Sequence, residues 1–302
     1  MTYSEVTEAS CATPESCIAV RIQPKAADLG DFSVRRSLPS PECRQVGPFV
    51  FFDHMGPADF PPGKSISVRP HPHIGIATIT YLFGGEIMHR DSLGFEQRIK
   101  PGTVNLMVAG NGIVHSERAG ADLDQTSRLH GIQSWIALPE DQEEIVPAFH
   151  HYPCKTLREI SLEGATIRII MGDAYGSESL VQQFSKTLYL DVLLDQGATL
   201  QTPQGYEELA VYVVSGEVMI GKQTLPEGVM GVLRHGDTPS VTATESTRLK
   251  ITGGEPLSRR YMFWNFVSSR PERIEAAKSD WRKMKFATVK GDEEFIPLPE
   301  DK

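Results

Sequence analysis

Residues 77–89 read Ala77-Thr-Ile-Thr-Tyr-Leu-Phe83, then Gly84-Gly85, then Glu86-Ile-Met-His89. The first segment alternates in the manner of a β-strand, and the glycine pair offers the positive φ that a tight hairpin requires. The third segment returns as a second strand. Short alternating segments broken by 26 Gly and 21 Pro continue along the chain, and they predict an all-β protein.

The hairpin recurs later in the chain as an internal repeat. Tyr81-Leu-Phe-Gly-Gly-Glu-Ile-Met88 returns 131 residues later as Tyr212-Val-Val-Ser-Gly-Glu-Val-Met219, with Tyr, Gly, Glu and Met in register. A repeat of this kind indicates two copies of one structural unit. We therefore expect two tandem β-barrels, with the domains at residues 1–150 and 151–302 and a linker near residues 140–160.

The clearest helix signal lies near the C-terminus. Ser269 is followed three residues later by Glu272, the spacing of a capping box, and Ile274, Ala277 and Trp281 continue at helical spacing. The sequence therefore predicts one short C-terminal helix that begins at a Ser269 cap.

Composition excludes several classes of protein. Hydrophobic residues make up 40% of the 302 residues and charged residues 23%, the balance of a globular chain with a sizeable core. No apolar stretch has the roughly 18 residues of a membrane helix, and the first ten residues lack the features of a secretory signal. The net charge of −9 disfavours direct nucleic-acid binding. We expect a cytoplasmic protein that does not contact the membrane.

The four cysteines do not indicate a disulfide scaffold or a metal site. None of them stands at C-x-x-C spacing. In a reducing compartment they are expected to be free thiols. They are Cys11, Cys17, Cys43 and Cys154.

Eight of the nine histidines lie between His54 and His151, and two short pairs stand out among them: His71-Pro72-His73 and His115-Ser116-Glu117. Side chains two residues apart on a strand point to the same face. Two such strands facing into a barrel would bring three imidazoles and one carboxylate together. The pairs therefore predict a metal site formed by His71, His73, His115 and Glu117.

The second copy of the repeat lacks these ligand types. At an offset of 131 residues the first pair falls on Thr202-Pro203-Gln204, and at 126 residues the second pair falls on Val241-Thr242-Ala243. The loss of all four ligand types together predicts one barrel that holds metal and one that does not.

Several segments around these pairs resemble the pirins, which are bicupins with two cupin β-barrels in tandem. The resemblance rests on His71-Pro-His-Ile-Gly75, Gly110-Asn-Gly-Ile-Val-His-Ser-Glu117 and His130-Gly-Ile-Gln-Ser-Trp135, and it extends over residues 18–285. It implies jelly-roll-like cupin barrels and the same four ligands. It also implies iron, and Fe(II) is our preferred metal. Ligand chemistry alone leaves Mn, Ni, Cu and Zn open.

The resemblance also implies a reaction class. Some bacterial pirin-like proteins act as quercetin 2,3-dioxygenases, so we expect a small planar aromatic substrate and O₂, with Glu117 as ligand and general base. The alternative is a non-enzymatic, iron-binding regulator that binds a transcription factor or a metabolic enzyme. Sugar-phosphate isomerase chemistry ranks last, because Arg69, Arg90 and Arg118 are typical solvated charges at strand ends.

The other polar residues near the pairs receive more modest predictions. His89 either lines the mouth of the barrel or hydrogen-bonds a metal ligand, or it is a solvated hairpin residue. His54 and His130 are expected to be packed and hydrogen-bonded, whereas Asp91 and Glu96 are expected to be solvated loop charges. His150 and His151 are expected in the exposed linker.

Overall fold

The computed structural model describes residues 16–28, 32–121 and 123–300. Cys11 lies outside these ranges. The three described cysteines, Cys17, Cys43 and Cys154, are free thiols, as predicted. Within the described part of the chain, no helix is long and apolar enough to span a bilayer.

Almost all of the regular structure is β-strand. The first twelve strands are β1 (Ile18–Ile22), β2 (Lys25–Asp28), β3 (Ser33–Leu38), β4 (Phe49–Phe60), β5 (Val68–His73), β6 (Ile76–Gly84), β7 (Ile87–Asp91), β8 (Glu96–Ile99), β9 (Val104–Val108), β10 (Ile113–Ala119), β11 (Ser127–Ala137) and β12 (Ala148–Tyr152). They form a seven-stranded sheet in the order β12-β9-β6-β11-β4-β3-β2 and a four-stranded sheet in the order β5-β10-β7-β8; β1 belongs elsewhere.

The second half of the chain repeats this arrangement. Its elements are a short 3₁₀ helix (Cys154–Thr156), β13 (Arg158–Leu162), β14 (Ala165–Met171), β15 (Asp173–Ala174), β16 (Ser177–Glu178), β17 (Thr187–Leu194), β18 (Thr199–Gln201), β19 (Glu208–Ser215), β20 (Glu217–Ile220), β21 (Gln223–Pro226), β22 (Met230–Leu233), β23 (Ser240–Ala243), β24 (Thr247–Gly254), β25 (Tyr261–Phe263), β26 (Phe266–Ser268) and α1 (Pro271–Arg282). The sheets are β1-β22-β19-β24-β17-β14-β13 and β18-β23-β20-β21, with two-stranded ribbons β15-β16 and β25-β26. The all-β prediction with two barrels and one short helix is confirmed.

Both copies of the predicted hairpin are present in the structure. β6 and β7 meet at Gly85, and β19 and β20 meet at Gly216, each with φ of +84°. At Gly85 a Cβ would lie 2.1 Å from the carbonyl oxygen of Arg128. Glycine is therefore required at this turn both by the backbone conformation and by the close approach of a neighbouring strand.

Strand and helix segments pack across the division expected at residue 150. β1 pairs with β22 in the sheet of the second barrel, whereas β12, which contains His150 and His151, pairs with β9 of the first. The expectation of an exposed linker histidine pair is wrong, because both side chains are half-buried in this strand. The division itself stays a prediction.

The C-terminal segment returns to the first barrel. Helix α1 packs its buried face, Ile274, Ala277 and Trp281, with Ile74 and Val114 of the first barrel. The helix was predicted correctly, but its cap was not. Ser269 uses its hydroxyl to donate to Glu143 at 3.0 Å, and the helix begins at Pro271 with no side-chain cap.

The tail beyond α1 continues along the strands that carry the histidine pairs. The Ile296 amide donates to the carbonyl of Pro70 at 2.9 Å, and Trp281 Nε1 donates to the Ile296 carbonyl at 3.0 Å. Arg118 on β10 donates to both carboxylate oxygens of Asp292, each at 2.7 Å. The C-terminus therefore supports β5 and β10 by backbone and ionic contacts.

The two seven-stranded sheets pack against each other through a shared apolar cluster. Tyr81 of the first barrel donates to Asp191 Oδ2 of the second at 3.0 Å. Its repeat partner Tyr212 lies 2.7 Å from Nδ1 of His54 in the first barrel. Each of the two equivalent tyrosines therefore hydrogen-bonds a residue of the opposite barrel. The contacts between the barrels thus follow the internal repeat.

Lys250 is buried at this interface with 0% of its surface exposed. Its Nζ lies 3.2 Å from Asp191 Oδ1 and 3.9 Å from the centre of the Tyr81 ring. Arg248 also donates to Asp191, at 2.9 and 2.5 Å. The Asp191 carboxylate thus binds the side chains of both Lys250 and Arg248. Burial lowers the pKa of Lys250 to about 7, against the attraction of Asp191, and Arg248 adds to the lowering.

We expect this lysine to make stability depend on pH. The folded chain releases the Lys250 proton near pH 7, whereas the unfolded chain keeps it up to about the ordinary value of 10.5. The unfolded state therefore binds more protons between these limits, and the free energy of unfolding rises with pH. Relative to Lys250→Met, the wild type should gain about 2 kcal/mol between pH 7 and pH 9 in urea unfolding.

The matched control is Lys186→Met, which removes an exposed lysine that lies over the ring of Tyr206. This control should follow the wild type at every pH. Parallel pH curves for wild type and Lys250→Met would contradict the prediction.

Candidate metal centre

The two histidine pairs lie on adjacent antiparallel strands of the four-stranded sheet. On β5 and β10, His115 stands opposite His71, and Ile113 stands opposite His73. A bulge separates His115 from Glu117, which stands opposite Val68. Because side chains two residues apart share a face of a strand, both pairs point into the barrel.

The three imidazoles converge on one point. One ring nitrogen each from His71, His73 and His115 lies within 4.8 Å of the others, and Nε2 of His73 is 3.1 Å from Nε2 of His115. Neighbouring nitrogens bound at roughly 2.1 Å to an octahedral ion lie about 3 Å apart. The spacing and the donor type therefore fit a single divalent metal ion.

The protonation of these rings suits metal binding. Burial lowers the pKa of His71 to about 4, and it lowers the pKa of His73 and His115 well below the ordinary histidine value. All three rings are therefore neutral near pH 7, the form that binds metals. His71 Nδ1 lies 2.8 Å from the carbonyl oxygen of Arg69, to which it donates, so Nε2 carries the lone pair.

Glu117 is buried on the same face. Its carboxylate oxygens are not among the ligand atoms that lie within 4.8 Å of one another. Burial raises the pKa of its carboxyl to about 7, and a hydrogen bond from Gln133 opposes that shift. Gln133 Nε2 donates to Oε1 at 2.9 Å. Its predicted roles as fourth ligand and base stay predictions.

Aromatic side chains pack around the cluster. Trp135 meets His73 edge to face with 5.0 Å between ring centres, and Phe51 stacks on Trp135 at 3.8 Å. Among the four predicted ligands, His71 has the largest exposed fraction, 7%. The centre is therefore shielded from water on nearly all sides.

Asp91 and His89 are buried beside the cluster, with 1% and 3% exposed. The prediction that Asp91 is a solvated loop charge is wrong, and so is the solvated alternative for His89. Both belong to β7, where Asp91 stands opposite His115. The sequence did carry a signal, because His89 and Asp91 have the same two-residue spacing as the ligand pairs. Glu96, by contrast, is exposed, as predicted.

Two of the three arginines named in the sequence analysis, Arg90 and Arg118, bind carboxylates. Arg118 alternates with Glu117 along β10 and is half-buried, not solvated, because Asp292 binds its guanidinium. Arg90 pairs with Glu96 at 3.1 Å. Both cations are therefore neutralised by carboxylates, which removes the main support for isomerase chemistry.

The corresponding interior of the second barrel is apolar. Val241 and Ala243, which align with His115 and Glu117, are buried in its core cluster. Val241 pairs with Leu200, so strand register matches His71 to Leu200 and not to Thr202. The segment between β18 and β19 is longer than the one between β5 and β6, which accounts for the two-residue error in the first offset.

His54 and His130 are packed and hydrogen-bonded, as predicted, and His54 contacts Tyr212 of the second barrel. Their Nε2 atoms lie 2.8 Å apart, and burial lowers the pKa of His54 to about 2. The nearby guanidinium of Arg35, 3.4 Å from His54 Nε2, adds to this lowering. The guanidinium of Arg35 beside His54 disfavours the binding of a second metal ion at these two histidines.

Comparison with known proteins identifies two matching family profiles. The profile described as Pirin matches residues 31–136, and the profile described as Pirin C-terminal cupin domain matches residues 189–287. A "Pirin-like protein" of Caulobacter vibrioides is 47% identical over 278 residues, which cover 90% of this chain and 96% of that protein.

Two further relatives carry the name of an enzyme. A Pseudomonas aeruginosa protein named "Putative quercetin 2,3-dioxygenase" is 35% identical, and the match covers 90% of this chain and 86% of that one. The crystal structure of quercetin 2,3-dioxygenase from Acinetobacter baumannii superposes with a TM-score of 0.86 at 31% identity. That alignment covers 94% of this chain and 96% of the other.

Removal of one imidazole should weaken metal binding. We expect the wild type to retain about one equivalent of Ni²⁺ after equilibrium dialysis, and His73→Ala to retain clearly less, because the variant loses one of the three converging imidazoles. Elemental analysis gives the stoichiometry. His150→Ala, which changes a half-buried histidine on β12, should bind like the wild type. Retention of a full equivalent by His73→Ala would contradict the assigned site.

Proposed function

The chain belongs to the pirin family, and from this premise we propose that it is a metal-dependent dioxygenase that opens a flavonol such as quercetin with O₂. The observation that carries the proposal is the convergence of three buried, neutral imidazoles on one point inside the first barrel. The names of two relatives support the reaction class.

We propose Fe(II) as the metal and Glu117 as the fourth ligand. Imidazole and carboxylate donors suit iron, and they also suit Mn, Ni, Cu and Zn. When bound, the metal would supply Lewis acidity that lowers the pKa of the flavonol hydroxyl. Together with Glu117, the imidazoles of His71, His73 and His115 would hold this ion.

Glu117 is the proposed base for the substrate hydroxyl. Gln133 Nε2 donates to Oε1 of Glu117 at 2.9 Å. We therefore propose that Oε2 of Glu117 accepts the proton of the substrate hydroxyl. Loss of this proton leaves an electron-rich ring carbon that can add O₂; as ring C–C bonds break, both oxygen atoms enter the products and one ring carbon leaves as carbon monoxide. The shell of Trp135 and Phe51 limits the access of water to this anion.

A second candidate function is favoured by the burial of the centre. An exposed fraction of 7% at His71 leaves little room for a planar ring without movement of neighbouring side chains. A closed metal centre is what a regulator would need, if its metal state changed its affinity for a transcription factor or a metabolic enzyme. The net charge of −9 suits such a protein partner.

Oxygen uptake separates the two functions. The Fe(II)-loaded protein should consume O₂ with quercetin in an oxygen electrode, and Glu117→Gln should lose about 10²-fold or more of that rate, because the amide cannot accept the proton. Glu96→Gln, which changes an exposed carboxylate on β8 of the same sheet, is the matched control and should retain the rate.

The absence of turnover in protein that holds Fe, Mn, Ni, Cu or Zn would overturn the dioxygenase. The same result would favour the regulator, provided that elemental analysis shows the metal to be bound.

A further inference from the structure

A chain of three polar side chains leads away from the candidate metal centre through β7. Asp91 Oδ2 lies 3.0 Å from His89 Nε2, and His89 Nδ1 lies 3.4 Å from His115 Nδ1. Asp91 stands opposite His115, and His89 stands opposite Glu117. The side chains of β7 therefore share the inner face of the barrel with the predicted ligands.

Hydrogen-bond chemistry sets the direction of this chain. An ionised carboxylate only accepts hydrogen bonds, so the His89 ring donates to Asp91 from Nε2, and its Nδ1 is the atom left to accept a hydrogen bond from His115. His115 must then donate from Nδ1. Its own lone pair is therefore on Nε2, the atom that lies 3.1 Å from Nε2 of His73.

The second oxygen of Asp91 is held by a turn. Oδ1 accepts the backbone amides of Leu93 at 2.9 Å and Phe95 at 3.1 Å. The Asp91 amide donates to the Phe95 carbonyl, also at 3.1 Å. The carboxylate is therefore fixed in place by residues 91–95, whose apolar side chains Leu93 and Phe95 are exposed.

The ring of His89 is also held from its flat side. Phe149 stacks on it with 4.5 Å between ring centres and 17° between planes. Stacking fixes the plane of the imidazole but does not choose which nitrogen carries the hydrogen. That choice is left to Asp91.

We propose that His89 and Asp91 are positioning residues, which select the tautomer of His115 that can bind a metal and tie its orientation to the turn at residues 91–95. The proposal rests on the metal centre of the proposed function, but it does not require the dioxygenase reaction. Hydrogen bonds to the far nitrogen of a ligating histidine commonly fix its orientation in this way.

Two substitutions test the chain at different links. In Asp91→Asn, the side-chain oxygen can keep the turn only by presenting the NH₂ group to His89, which moves the hydrogen of His89 to Nδ1 and opposes donation from His115. In His89→Phe, the stack on Phe149 is kept, but the acceptor for His115 is lost. His151→Gln is the control, because His151 hydrogen-bonds Asn105 at 2.8 Å in the same barrel.

The first measurement is Ni²⁺ affinity by isothermal titration calorimetry. We expect Asp91→Asn and His89→Phe each to bind about 10–100-fold more weakly than the wild type, and His151→Gln to bind normally. If Asp91→Asn fails to fold, His89→Phe decides, because it leaves the turn intact. Unchanged affinity in His89→Phe would overturn the proposal. A wild type that binds no Ni²⁺ would overturn the metal centre and the proposal with it.

The second measurement distinguishes positioning from simple packing. In ¹⁵N-histidine-labelled protein loaded with diamagnetic Zn²⁺, long-range ¹H–¹⁵N spectra should show His115 with hydrogen on Nδ1 and His89 with hydrogen on Nε2. Asp91→Asn should move the His89 hydrogen to Nδ1. A wild-type spectrum with hydrogen on Nδ1 of His89 would overturn the proposal even if Ni²⁺ affinity fell.

Discussion

The two-residue period of the β-strand is the constraint on which the candidate centre depends. β5, β10 and β7 are neighbours in one sheet, and each contributes two polar side chains to the same face. Six polar groups are thereby concentrated inside one small barrel, where each must find a partner because water is nearly excluded. A shift of one residue in any of these strands would turn its pair outward.

Burial at this face has a chemical consequence. The same loss of solvent that lowers the pKa of His71 to about 4 keeps the rings uncharged and close together, which mutual repulsion would otherwise prevent. In the second barrel the matching positions hold Val241 and Ala243, and the interior is an apolar core. The two copies thus satisfy the same sheet geometry in different ways, one with polar donors and the other with hydrocarbon.

The sequence was most informative where contacts are local or periodic. Strand alternation, the Gly85 turn and the His71–His73 spacing all act within a few residues, and each was predicted. The failures involve distant partners. Ser269 was predicted to cap the helix, but its hydroxyl donates to Glu143. Arg118 was predicted to be solvated, but it binds Asp292, which is 174 residues away in the sequence. The burial of Asp91 depends on the pairing of β7 with β10, which strand spacing alone does not reveal.

The return of the C-terminal segment to the first barrel has a consequence for biosynthesis. β5 and β10 emerge from the ribosome well before the residues that pack beside them, which lie between Phe266 and Ile296. Conversely, β1 is synthesised early but pairs with β22, which is synthesised much later. The strands that carry the predicted ligands therefore acquire this packing only after the segment up to Ile296 has been synthesised and has left the ribosome.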